Sequence, residues 1–537
     1  MKKAMKVLFL LLVTVIAVTP FAAAGGRQSA STSSASGSNE HMVITYAHET
    51  TVVDVNNDAW SKRWCDKFNF EWEIIPLPEG GGSTEMIRIW ASAGDLPDLT
   101  DPAGDYFNIA ELTSWAEQKM IYRMPDNWRT RWPLVSGTQT VTQADKHIEG
   151  VLGGTYVLLK PLFSEANIPV QRLINHWGVW FRADWAKAVG FETRTTGGVT
   201  NWKATELMEY ARRIKAQDPG RVGPALAPIA VSTSLLPLVF VAPNSLYSNN
   251  WAQYYKNANG QYQWGPAHPD TLIGLKLWRQ AYDEGLLHRE FYLLPTGRDL
   301  EAIYNSQGTT AVMMAAGMAT VAMRQASFLN SNFGVDEDAV GFAFMLNEDG
   351  KPNNTEIVNF YGIKFFRPNI PQAKFERIMD ILDYSATQEA QNLIRLGFEG
   401  EHWRRDASGN IVGLLPPNMQ IPQIFPSIQP NYTSLLIRPD DFGLVNPTFP
   451  QRWKDLARNQ YVQKTQMTDA NHFAPLDFDA QFYDSPAMRR AVMNLPEEYA
   501  SIVLAGPNVE TSFNNWVREK MPIIQPVLNE LNAIRRR

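Results

Sequence analysis

One run, Asn359–Trp403, constrains the fold more than any other stretch. It opens on the apolar-aromatic segment Phe360–Phe366, which has the length and composition of a single buried strand. Pro368 and Pro371 stop that strand, because proline has no N–H to continue a ladder. Phe375, Ile378, Met379 and Leu382 then recur at three- and four-residue steps, which places them on one helix face. Ser385 or Thr387 is placed to cap a second helix, and Gly397 to end it. The run closes on Gly397-Phe398-Glu399-Gly400-Glu401-His402-Trp403, two glycines around acids, a histidine and a large ring. A buried strand that feeds an amphipathic helix predicts an α/β architecture.

The rest of the chain reads the same way. Met42–Ala47 and Phe70–Pro76 are predicted strands, separated by a helix over Asn57–Phe68 that Asn56 or Asn57 would cap. This is the order of a parallel βαβ unit. The phrase Asp54-x-Asn56-x-Asp58 suggests a calcium loop, but Ala59 stands where that loop needs glycine and Cys65 where it needs a bidentate acid, so it is rejected. A helix over Glu85–Ala93 stops at Gly94, and a proline-fixed turn leads into a short strand ending near Asp101. Asp95 and Asp98 serve that cap and turn. Helices are expected over Asn108–Met120 and Thr271–Glu284, and one opening at Thr200. Strands are expected over His176–Arg182, Thr309–Met314 and Val340–Leu346, with a hairpin turn at Gly260. No internal repeat is visible.

Three phrases carry a family resemblance. They are the strand, Pro-x-x-Ala helix and capped helix of Asn359–Trp403; Gly94-Asp95-Leu96-Pro97-Asp98; and Trp180-x-Arg182-x-Asp184-Trp185 with Gly190, followed by Thr200-Asn201-Trp202. Together they resemble the extracellular solute-binding proteins, family 1, of ABC importers, in the long lipoprotein-type branch serving sugar and oligosaccharide uptake. The resemblance implies a two-lobed periplasmic-binding-protein-like fold of type II, with discontinuous lobes joined by a hinge. The first lobe would hold 41–176 and 355–386, and the second 177–354 and 387–537, with crossings near 176, 354 and 387. Gly153–Val157 would fill the place of a family strand, and the loop after the Thr309–Met314 strand would face the cleft.

Composition bounds the function. The 537 residues are 45% hydrophobic and carry net charge −6. No basic stripe interleaved with aromatic residues appears, which argues against nucleic acid as a partner. The 17 tryptophans chiefly supply core; the same rings suit stacking on sugar faces. The single cysteine, Cys65, allows no intrachain disulfide and reads as a small buried residue. Lys2, Lys3 and Lys6, the apolar run Val7–Val18 and Ala22-Ala23-Ala24 form an export signal, with cleavage expected after Ala24. The apolar run is shorter than the ~20 residues that span a bilayer. Gly25-Gly26 occupies the place of the branch's lipid-bearing cysteine, so a free periplasmic or extracellular product is expected; retention as an anchor is the lesser alternative. Residues 25–40 read as a flexible tether.

The candidate ligand-binding residues lie after the strands: His48, Glu49, Asp101, Asp105, Tyr106, Trp251, Met318, Glu401, His402 and Trp403. Ligands of open α/β folds sit beyond the carboxyl ends of strands. Trp403 is the leading candidate for a stacking ring, because flanking glycines allow close approach. No Gly-x-Ser-x-Gly, His-Glu-x-x-His, phosphate loop or dinucleotide fingerprint occurs. The eight histidines include no pair at helical spacing, and neither a metal nor a cofactor is expected. The expected function is a saccharide receptor, monomeric, working with an ABC permease and carrying out no chemistry. The alternative is a secreted glycoside hydrolase or lyase, since paired acids meeting in space leave no local motif.

Overall fold

The computed structural model describes residues 40–537 except 51–52, 79–81, 103–107, 164–172, 197, 249–252, 295–302, 317–326, 330, 333–334, 417–418, 420, 429–443, 445–448 and 535–537. The export signal and most of the tether therefore lie outside the described residues. Among those described, no helix is long and apolar enough to cross a membrane.

Two five-stranded sheets organise the chain. The first takes β1 (Met42–Glu49), β2 (Phe70–Leu77), β3 (Leu99–Asp101), β4 (Leu158–Pro161) and, from much later in the chain, β13 (Phe360–Phe366), in the order β2-β1-β3-β13-β4. β1 runs parallel to β2 and β3, whereas β13 is antiparallel to β3 and β4. All strands but β13 thus end at one edge. The helix Ala59–Phe68 covers the sheet with Trp60 and Trp64, and the Gln372–Ser385 helix adds Phe375, Ile378 and Met379 to the same core.

The second sheet has the order β10-β5-β11-β7-β6, from β5 (Trp177–Arg182), β6 (Thr195–Thr196), β7 (Val199–Lys203), β10 (Val312–Ala316) and β11 (Val340–Leu346). Alternation along β5 sends Val179 and Phe181 into a core with Trp202 and Leu207, and Trp180 into another with Phe342 and Tyr461, as period-two geometry requires. A Cβ at Gly341 would come within 2.2 Å of the Phe181 ring, so this close crossing needs glycine. A hairpin, β8 (Tyr254–Lys256) with β9 (Tyr262–Trp264), and the long Val509–Ile534 helix join the core that holds Val179 and Phe181.

The connections between sheets run side by side. Ile174 bridges Glu356, and β12 (Asn354–Thr355) pairs with β16 (Phe473–Ala474). The resemblance places a further crossing at 387, but the Gln388–Leu396 helix stays with the first sheet. Its Ala390, Leu393 and Ile394 share a core with Trp60, whose Nε1–H donates to Leu393 O at 3.0 Å. Ile421, Phe425 and Ile428 join the same core. Among the described residues that follow, Leu444, Ala457 and Tyr461 join the core that holds Trp180 of the second sheet.

Smaller expectations differ for local reasons. Asp58, not Asn56 or Asn57, caps the first helix by accepting from Ser61 N at 2.8 Å. Asn56 is occupied by both backbone groups of Trp72. Gly153 ends a helix and the strand begins only at Leu158. Thr200–Lys203 continues as β7 because it pairs with β11, and its helix starts at Ala204, where Glu206 accepts from Lys203 N.

Candidate functional site

The carboxyl edge of the first sheet gathers polar groups that strand interiors ordinarily reject. β1 ends on His48 and Glu49, β3 on Asp101, and the β1–β3 register sets His48 opposite Asp101. His48 and Asp101 are each 3% exposed. The Tyr46 ring lies parallel to His48 at 5.7 Å, and its hydroxyl donates to Asp101 Oδ2 at 3.1 Å. Lys364, 1% exposed in β13, donates its ammonium to the same carboxylate oxygen. Lys160 of β4 adds a second positive charge and sits 4.5 Å from the Tyr361 ring centre.

The electrostatics follow from burial. Desolvation pushes the His48 imidazole down to about 4, despite the opposing pull of Asp101, so the ring is neutral at pH 7. Burial alone would raise Asp101; Lys364, His48 and Lys160 outweigh it and hold the carboxyl below the usual carboxylate range. Burial lowers Lys364, and Asp101 opposes that shift. The ammonium and the carboxylate face each other as a buried ion pair, each compensating the other's desolvation. A histidine with a value near 4 is poorly matched to proton transfer at pH 7. The edge thus holds its buried polar groups paired with one another, and beside them the half-buried Glu49 accepts from Ser83 Oγ at 3.5 Å.

Of the sequence candidates, His48, Glu49 and Asp101 come together here. Asp105, Tyr106, Trp251 and Met318 lie outside the described residues. Glu401, His402 and Trp403 belong to a separate corner. The Trp403 ring is 4% exposed in β14 (Trp403–Arg405), paired with β15 (Ile411–Gly413), and its Nε1–H donates to Gly397 O at 3.0 Å. It presents no open face, which corrects its expected role as the stacking ring: with its one donor satisfied internally, the indole gains more from burial than from exposure. His402 Nδ1 accepts from Phe398 N at 2.9 Å, and the ring packs against Phe398 and Phe425. Glu401 is exposed. Sequence reasoning passed over Tyr46, Lys160 and Lys364. The available signal was a lone lysine inside an apolar strand, as in Ile363-Lys364-Phe365 and Leu159-Lys160-Pro161.

Among the described residues, no three of His, Cys, Asp and Glu are placed to hold a metal ion. No family model matches the chain, and no curated protein matches it. Solved structures do. An alginate-binding protein solved without calcium ion aligns with TM-score 0.64 at 14% identity, over 93% of this chain and 99% of that one. An extracellular solute-binding protein from Bifidobacterium longum subsp. infantis aligns with TM-score 0.62 at 13% identity, over 92% and 98%. An ABC-transporter substrate-binding protein of S. pneumoniae in complex with kestose aligns with TM-score 0.59 at 12% identity, over 92% and 98%. These likenesses extend over nearly the whole chain, and its fold is the mixed α/β, two-lobed fold of the periplasmic solute-binding proteins.

Proposed function

We propose that this chain is an extracytoplasmic solute-binding receptor of an ABC importer, which takes a sugar or oligosaccharide between its lobes and delivers it intact to a membrane permease. The observation that carries the reading is the pre-organised polar edge of the first sheet, where His48, Asp101 and Lys364 are locked by one another and Glu49 stays half-buried. Sugar hydroxyls are recognised by such fixed donors and acceptors. The ligand named for one structural neighbour is kestose, and another is called an alginate-binding protein. The mechanism is closure: ligand that touches both lobes only when they meet shifts the open–closed equilibrium by that difference in affinity. The receptor acts as an exported monomer after cleavage near Ala24, with no cofactor and no catalytic step.

The test is thermal unfolding of residues 25–537 against mono- and oligosaccharides, with product analysis. A ligand at ~100 times its dissociation constant adds ~2.7 kcal/mol to stability. A raised midpoint with the sugar recovered intact is expected. Cleaved sugar would replace the receptor by an enzyme, and no response to any sugar would remove the carbohydrate assignment.

A further inference from the structure

A further buried lysine, Lys464, lies where the two lobes join. The helix Gln451–Met467 lies across the connections between sheets. Its Tyr461 hydroxyl accepts from Ile174 N at 2.6 Å, and its Lys464 Nζ donates to Asn175 O, also at 2.6 Å. Thr468, just past the helix, donates to Lys464 O at 2.7 Å and accepts from the Asn354 side-chain amide. One helix face therefore holds both the crossing at Ile174–Asn175 and the crossing at Asn354. Lys464 is 6% exposed, and among the described residues Asn175 O is its one acceptor. One turn earlier, Gln460 Oε1 is buried with no partner. An ammonium normally spends three donors, so the site under-serves the charged form.

We propose that Lys464 is a proton-sensitive hinge pin: as a neutral amine it holds the helix against the Ile174–Asn175 crossing, and on taking up a proton it weakens that hold and loosens the hinge.

Burial alone, with no charged neighbour contributing, brings Lys464 down to about 7. The titratable and charged groups on the elements around it are committed elsewhere. Glu356 accepts from Leu476 N, the His176 ring packs on Phe163, and Lys203 donates to Glu348 O. On the helix itself, Arg458 pairs with Asp455 and burial lowers Lys454. The sign follows from linkage. With the hinge pinned, Lys464 loses its proton near pH 7; in water it would hold it to pH ~10.4. The pinned state therefore strengthens as pH rises between those values, by up to about tenfold per pH unit, and is level below pH 7. His472 behaves oppositely. Burial lowers it, but Asp469 at 2.7 Å and Asp349 at 3.0 Å outweigh that and raise it, so its contribution fades as pH rises. The two groups are distinguishable by the direction of the effect alone.

The test is amide hydrogen exchange of the ligand-free chain at Ile174 from pH 6 to 9, referred at each pH to the rate of an unstructured peptide, with Ile44 of β1 as the reference amide. Using no ligand, it stands or falls independently of the saccharide assignment. Protection at Ile174 is expected to be lower than at Ile44, level below pH 7, and rising up to about tenfold per unit above it. Lys464→Met should abolish the rise; His472→Gln should leave it. A flat or falling profile in the unaltered chain overturns the proposal, even where Lys464→Met does not fold. So does equal protection at Ile174 and Ile44, which would mean the hinge opens only when the whole molecule does. An unchanged slope in a folded Lys464→Met chain overturns it too.

Discussion

Two clusters in this molecule look alike in sequence and differ in kind. The edge formed by His48, Glu49 and Asp101, and the corner formed by Glu401, His402 and Trp403, each combine acid, histidine and nearby rings after a strand or helix end. At the edge, charge is buried and locked: Asp101 is held by Lys364 and Tyr46 at the end of a sheet. At the corner, the ring is buried and the charge is left in water: Trp403 is closed over Gly397 while Glu401 is exposed. Burying an ion pair costs several kcal/mol in desolvation unless its geometry returns it, so such a pair at a sheet edge points to a positioned site. Burying a tryptophan with its N–H satisfied needs no such explanation.

The largest effect should come from unpairing the edge. Lys364→Met leaves Asp101 buried without its partner and should destabilise the chain by about 3–5 kcal/mol in urea unfolding. Adding Asp101→Leu should recover much of that loss; failure to do so would mean the pair is not what holds the edge. Next is pH. His48 has its folded value lowered to about 4, below the ~6.5 of an unfolded histidine, so the unfolded chain binds the extra proton between these values. Its contribution is intact above pH 6.5 and is lost as pH falls toward 4, by up to about 3 kcal/mol. Comparing urea midpoints of the native chain and His48→Gln over this range should show the difference shrink with acid. Glu49→Gln should weaken saccharide binding about 10- to 100-fold, the range of a hydrogen bond to a charged group, with stability unchanged. Smallest, Trp403→Phe should cost about 1 kcal/mol for the lost bond to Gly397 O and leave affinity unchanged. A loss of affinity there, measured by calorimetric titration, would break the contrast between the two clusters.

Much of the scaffold was legible. The strand Phe360–Phe366, the cap at Thr387 and the stop at Gly397 stand where local chemistry puts them, because capping and periodicity are decided within a few residues. What escaped was decided across the fold. Asp58 caps the first helix because its second oxygen also accepts from Ser427 N, a residue far away in sequence. The Gln388–Leu396 helix stays with the first sheet because Trp60 and its neighbours bury Leu393 and Ile394, and its own pattern does not name that partner. The Lys364–Asp101 pair joins residues whose separate positions look like an oddity in a strand and the end of a turn. The face of Trp403 could not be read from flanking glycines, since the same glycines serve an inward-packed loop and an exposed one.

The most direct test of the central claim is a crystal structure with the saccharide that most raises the unfolding midpoint. An intact sugar is expected between the lobes, contacting Glu49 at the edge of the first sheet and at least one side chain from the second-sheet lobe, with the Trp403 ring still closed. A sugar seated on the Glu401–Trp403 corner, or bound by one lobe alone, would contradict it.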